Sequence, residues 1–225
     1  MKSLISILKS LPPAKVIDDA IDYSKYLPLD LSSTNIELVE SKPESAADFE
    51  RFITDYLKAN NSEVAYGGYI EGRSLYKRSS IFRNDSIPER NIHIGLDLWT
   101  KEGTAVLAPL DGKVHSFKNN AGLGDYGPTI ILEHEIESEI FYTLYGHLSL
   151  ESIENLSVGT FFSKGQKIGT LGSSSVNGDY PPHVHFQIIR NIENYSGDYP
   201  GVCNTNDLNF YIENCPDPNL LLKIT

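Results

Sequence analysis

The stretch "TAVLAPLDGKVHSF" (104–117) decides the fold class. It reads as two short apolar strands joined at Asp111-Gly112, a dipeptide suited to a tight hairpin turn. Runs of the same kind return in "TIILEHE" (129–135), "IFYTLYGHL" (140–148), "TFFSKGQKIGTLG" (160–172) and "HVHFQII" (183–189). Val, Ile, Tyr and Phe dominate them, and glycines separate them. Short strands at regular spacing predict a mainly β fold, an antiparallel sandwich or barrel-like core. No repeat of 20–50 residues and no low-complexity segment interrupts the pattern.

The flanks differ from this core. Residues 1–62 contain almost no glycine and are expected to form a partly helical extension. Its clearest helix spans "SKPESAADFERFITDYLKANN" (41–61). Ser41 and Glu44 have capping-box spacing, with Pro43 in the first turn. Phe49, Phe52, Ile53, Tyr56 and Leu57 make an apolar stripe that predicts packing against the β core, and Asn60-Asn61 end the helix. Residues 63–190 form the expected β domain. Residues 191–225, rich in Asn, Asp and Pro, form an extension packed back on it, with a short helix near "NDLNFYIEN" (206–214).

Composition excludes several function classes. The chain has 225 residues, 40% hydrophobic and 22% charged, an ordinary globular balance. Its net charge of −11 disfavours nucleic acid, whose phosphates need clustered Lys and Arg. No basic amphipathic run addresses an anionic membrane, and no apolar run reaches the roughly 18–20 residues of a spanning helix. The opening "MKSLISILKSLPPAK" is interrupted by Lys9 before it reaches the length of a signal h-region. That favours the cytoplasm, although a chain trimmed ahead of this point would read the same way and work outside the cell. Cys203 and Cys215 are too few for a disulfide framework; one disulfide and two buried thiols both stay open. A monomer is expected.

Chemistry concentrates in the histidines. His183 and His185, in "PPHVHFQII" (181–189), are i and i+2 on a strand. Their rings share one face, ~6.6 Å apart along the chain. Two polar rings on one buried face both need partners, which a purely structural strand would not favour. "HIGLD" (93–97) holds His93 and Asp97. On a straight strand they would lie about 13 Å apart, too far for one ion, so a bend at Gly95 is expected. Two imidazoles, one carboxylate and a place left for water make a catalytic zinc set. "LYGHLS" (144–149) puts His147 near a strand end, where an imidazole serves as acid or base. His115 is expected to face solvent and His134 to lie in an acidic turn; "HEIES" (134–138) lacks the second histidine of HExxH.

Taken together, three segments resemble the lysostaphin/LytM-type zinc metallopeptidases, a family of peptidoglycan endopeptidases. "HIGLDLWTKEGTAVLAPLDGKV" (93–114) is similar to the family's HxxxD segment, "TLYGHLS" (143–149) to its YxHL segment, and "VGTFFSKGQKIGTLGSSSVNGDYPPHVHFQI" (158–188) to the segment ending in HxH. The resemblance implies Zn2+ held by His93, Asp97 and His185, with His147 and His183 flanking the water that attacks. It implies a peptide or peptidoglycan substrate and hydrolysis of amide bonds in cross-bridges or similar short Gly- or D-Ala-containing peptides. Two features depart from the family. The loop "SSSVNGDY" (173–180) is longer and more polar, and Gln187 stands where Glu is usual; neither is expected to touch the metal. Glycine-rich loops around 65–73 and 172–182 are expected to line the groove, with Tyr69, Arg73 and Tyr76 binding substrate. The competing readings are a biotin- or lipoyl-type carrier, disfavoured because no lysine hairpin of that kind occurs, and a zinc-binding but catalytically silent relative that binds peptide or activates another enzyme.

Overall fold

Short β-branched and aromatic runs become strands, and the central ones are covered on both faces. A computed structural model of the chain describes residues 3–41, 43–73 and 89–225. In chain order the strands are β1 (Tyr26–Pro28), β2 (Val64–Gly67), β3 (Glu71–Gly72), β4 (Ile92–His93), β5 (Leu96–Trp99), β6 (Ala105–Leu107), β7 (Gly112–Asn120), β8 (Gly127–Ile136), β9 (Glu139–Gly146), β10 (Phe161–Phe162), β11 (Lys167–Thr170), β12 (His183–Ile189) and β13 (Val202–Cys203). Eight form one open sheet in the order β1-β2-β5-β12-β9-β8-β7-β10. Only β1 and β2 pair in parallel; every other neighbouring pair in this sheet is antiparallel. β6 and β11 make a small second sheet, and β13-β4-β3 a third. The fold is therefore mainly β and sandwich-like, and the described residues form no closed barrel.

The strand pair expected at 104–117 is not a hairpin. β6 joins β11 and β7 joins β8, so the chain leaves one sheet and enters the other across Asp111-Gly112. Gly112 serves close packing here: a Cβ would sit 2.7 Å from the His134 ring. His134 is not in a turn either. It lies inside β8, 1% exposed, between the Asp111 carbonyl and the Thr143 hydroxyl. The local hairpin of the large sheet is β8–β9, turning on Glu137 and Ser138, both with positive φ (51° and 65°). That is the backbone of a type I′ turn, without its usual Asn-Gly.

The central strands are buried on both faces, and successive residues go to different cores. Val184, Phe186 and Ile188 of β12 join Ile130 and Leu132 of β8, with Val106 of β6 and Ile168 of β11 across the sandwich. Helix α1 (Leu4–Ser10) and helix α5 (Asn219–Leu222) bring Leu4, Leu8, Leu221 and Leu222 to the same cluster. On the opposite face Ile131, Leu144 and Ile189 meet Tyr199, Cys203 and Cys215, so the C-terminal segment covers the face that carries the histidines. Helix α4 (Leu208–Asn214) lies within the stretch expected to be helical. Both cysteines are buried free thiols.

Helix α2 (Ile36–Ser41) precedes α3 (Ala46–Ala59). Ser41 therefore ends one helix instead of starting the next. The α3 cap is Ser45, whose hydroxyl accepts from the Asp48 N–H at 3.1 Å, and Asn60 closes the other end. The apolar stripe docks as its spacing predicts: Phe49, Ile53 and Leu57 are buried against Leu29, Leu31, Ala65 and Trp99. Because Trp99 ends β5 beside the histidines, this helix buttresses the site. Ile53→Ala should destabilise the protein by about 2–4 kcal/mol through the cavity it leaves. Urea unfolding followed by circular dichroism will measure that loss, and a change below about 0.5 kcal/mol would mean α3 is not docked through this stripe.

Candidate metal centre and catalytic groove

Sheet register brings the key residues together. β12 lies between β5 and β9, with His185 directly opposite Asp97 on one side and Gly146 on the other. His147 follows Gly146 at once. His93 enters from β4, in the three-stranded sheet, paired with Glu71 and Val202. The chain bends at Ile94-Gly95 between β4 and β5, as the His93–Asp97 spacing demanded. The glycine is needed for room: a Cβ on Gly95 would lie 2.4 Å from His185 Cε1.

Among the described residues, His93, Asp97 and His185 form a buried group whose ligand atoms all lie within 4.8 Å of one another. His93 Nε2 is 2.8 Å from His185 Nδ1 and 3.2 Å from Asp97 Oδ1; His185 Nδ1 is 3.1 Å from Asp97 Oδ1. Ligands of a tetrahedral ion with bonds of about 2 Å stand ~3.3 Å apart, so the spacing fits. The tautomers fit as well. His93 donates its Nδ1–H to the Gly68 carbonyl at 2.8 Å, and His185 donates its Nε2–H to Gln187 Oε1 at 2.9 Å. Each ring is left with one bare nitrogen turned toward the carboxylate, the arrangement in which outer partners orient metal ligands. Burial alone would raise the Asp97 carboxyl; His93, wherever its ring carries a second proton, and the Arg73 guanidinium hold it well below the usual carboxylate range.

His147 and His183 stand beside this group, their rings stacked with centroids 4.1 Å apart. His147 donates Nδ1–H to the Asn177 carbonyl and His183 donates its own to the Pro181 carbonyl, at 2.7 and 2.8 Å. Both Nε2 atoms are thereby bare in the neutral rings, and that of His183 is 4.0 Å from Asp97 Oδ1. His147 adopts φ 63°, a conformation unfavourable for a non-glycine residue. Hydrogen bonds from its own N–H to Tyr126 and from Gly172 to its carbonyl hold it there.

A groove of about 270 Å³ runs over these side chains. Tyr126 lies against the rings of His147 and His185, and Tyr180 stands edge-on to His147 and His183. Phe49 and Leu31 reach the groove from the N-terminal part, and Tyr195, Asp198 and Tyr199 from the C-terminal part. Tyr180 lies in the 172–182 loop expected to line the groove; no signal in the sequence marked the other walls, which are ordinary residues with no motif of their own. Of the residues expected to bind substrate, Arg73 lines the groove, 4% exposed and ion-paired to Asp97. Tyr69 does not line it; its hydroxyl donates to the Cys215 carbonyl. Tyr76 lies outside the described residues. Gln187 is closer to the centre than expected: it does touch a member of the metal-ligating group, and its amide N–H groups reach the Pro200 carbonyl and the Cys215 sulfur.

Residues 91–196, just under half of the chain, match the model of Peptidase family M23. An "uncharacterized metalloprotease" of Haemophilus influenzae is 32% identical over 95 residues, which are 42% of this chain and 18% of that protein. The chain thus spans about a fifth of that relative. Among solved structures, a zinc-containing peptidase from Vibrio cholerae is 27% identical, covering 48% of this chain and 30% of that one, with a TM-score of 0.36. Lysostaphin from Staphylococcus simulans is 28% identical, covering 54% and 45%, with a TM-score of 0.34.

Two outcomes follow from the packing. Gly95→Ala should push the His185 ring from its place and cost about 1–3 kcal/mol, read by urea unfolding. In the metal-free protein burial pushes His93, His134 and His183 down to about 4 and His147 well below its ordinary value, with the neighbouring His183 adding to the effect at His147. Between pH about 6.5 and about 4 the unfolded chain takes up protons that the folded chain refuses. Stability should therefore fall as pH drops through this window, by on the order of 1 kcal/mol per unit for each histidine. A flat unfolding midpoint from pH 6.5 to 4.5 would contradict it.

Proposed function

We propose that the chain is a zinc-dependent endopeptidase acting on amide bonds in peptidoglycan cross-bridges or similar short peptides containing Gly or D-Ala. The observation that carries this reading is the stacked His147–His183 pair, with two bare Nε2 atoms, beside the His93–Asp97–His185 group. His93 through Nε2, Asp97 through Oδ1 and His185 through Nδ1 would hold the ion. Bound zinc would lower the pKa of a coordinated water toward 7 and polarise the scissile carbonyl.

The residues of the chain do the rest. His147 and His183 accept one proton between them as water attacks, since a charge on one ring opposes charge on the other. That proton then passes to the leaving amine, while the unprotonated partner keeps its place through its carbonyl hydrogen bond. Burial favours the neutral rings, so both are ready as bases at neutral pH. Tyr126, Tyr180 and Phe49 wall the groove and limit water around the reacting atoms. An extended peptide lying in this groove would pass between walls drawn from both flanks of the segment that matches the family.

Elemental analysis should find one zinc per chain. His185→Ala should lose the metal. His147→Ala should keep it and lose about 10²–10⁴-fold in hydrolysis, the size of a general acid–base contribution. Digestion of a panel of peptides and muropeptides, read by mass spectrometry, gives the substrate. A zinc-loaded wild-type chain that cleaves none of them would replace this reading with that of a silent, peptide-binding relative.

A further inference from the structure

The carboxylate of Asp97 has two oxygens with different partners. Oδ1 faces the two imidazole nitrogens, at 3.1 and 3.2 Å. Oδ2 accepts from Arg73 Nη1 at 2.6 Å. The guanidinium is itself held: Nε donates to Glu71 Oε2 at 2.5 Å, and the other Glu71 oxygen accepts from the Leu31 N–H at 3.0 Å. Arg73 also lies over the Trp99 ring, 5.6 Å from its centroid, and Trp99 stacks on His183. Arg73 and Asp97 are almost wholly buried. Such a chain of charge-assisted bonds fixes direction as well as charge, because the planar guanidinium offers donors at set angles.

We infer that Arg73, braced by Glu71, is a positioning residue for the metal centre: it occupies Oδ2 of Asp97 and leaves Oδ1 alone to meet the ion. The inference rests on the proposed metal site and adds to it a part that lies outside residues 91–196. Two physical consequences follow. A carboxylate free at both oxygens could turn and offer both to a cation; one pinned at Oδ2 cannot. And a guanidinium this close to a dication would repel it, but Glu71 offsets that charge, so the Arg73–Glu71 pair orients Asp97 at little electrostatic cost. The β3–β4 pairing of Glu71 with His93 keeps the brace in register with the group it serves.

The test uses the full chain, with zinc affinity measured by competition against a chromogenic chelator and the visible spectrum taken on the cobalt(II)-loaded protein. Arg73→Lys keeps the charge but cannot span Glu71 and Asp97 with one point donor. Arg73→Lys and Arg73→Ala should each bind zinc about 10–100-fold more weakly. Their cobalt bands should weaken, as the released Oδ2 raises the coordination number. Glu71→Gln, which keeps an acceptor for Arg73 but removes the offsetting charge, should weaken zinc binding to a smaller degree. A merely architectural role predicts something else: a lower melting temperature, with zinc affinity and the cobalt spectrum as in the wild type. That result overturns the inference, and if Arg73→Ala does not fold, Arg73→Lys and Glu71→Gln together decide it in the same way. A wild-type chain that binds no zinc would sink this inference along with the proposed function. One that binds zinc but hydrolyses no peptide sinks only the latter.

Discussion

Everything at the site depends on the register of β12 between β5 and β9. His185 sits opposite Asp97, and Gly146 opposite His185 on the other side. Strand side chains alternate with period two, so a slip of one residue would turn both histidines away from the groove and point Val184 and Phe186 into it. The apolar half of the strand prevents this. Val184, Phe186 and Ile188 are fully buried, and each contributes roughly 1.5–3 kcal/mol by leaving water. The core therefore sets the geometry of the polar face, and the polar face need not be stabilising by itself.

Burying four imidazoles and a carboxylate in one place is costly unless each has a partner. The fold meets this requirement with outer groups from separate segments: the carbonyls of Gly68, Asn177 and Pro181, and the side chain of Gln187. Each leaves one ring nitrogen bare and turned inward. The strained backbone of His147 fits the same logic. A residue with φ 63° persists only where its surroundings over-determine it, and here three backbone hydrogen-bonding groups around it do so.

The parts of the chain outside residues 91–196 are not accessories. Helix α3 supports Trp99 and brings Phe49 to the groove. The C-terminal segment covers the histidine-bearing face of the sheet and supplies Asp198 and Tyr199 to the groove. Two neighbours of the histidine–carboxylate group also come from outside, Gly68 by its carbonyl and Arg73 by its guanidinium. Residues that do the chemistry and residues that shape the space around it thus come from different stretches of sequence.

That division separates the features legible in the amino-acid sequence from those that are not. Strand character, the apolar stripe of α3, the shared face of His183 and His185 and the bend between His93 and Asp97 are local properties. Period, spacing and residue type determine them within a few positions. The true partners of β6 and β7, the burial of His134, the role of Gln187 beside His185 and the groove walls drawn from the two flanks have no local signature. Each depends on which strand lies next to which, a choice made by packing between segments tens of residues apart. Arg73 shows the limit most clearly. Its place in a glycine-rich loop marks it as part of the groove. Only the fold decides that its guanidinium meets the second oxygen of Asp97, because no local pattern specifies which buried charge an arginine will find.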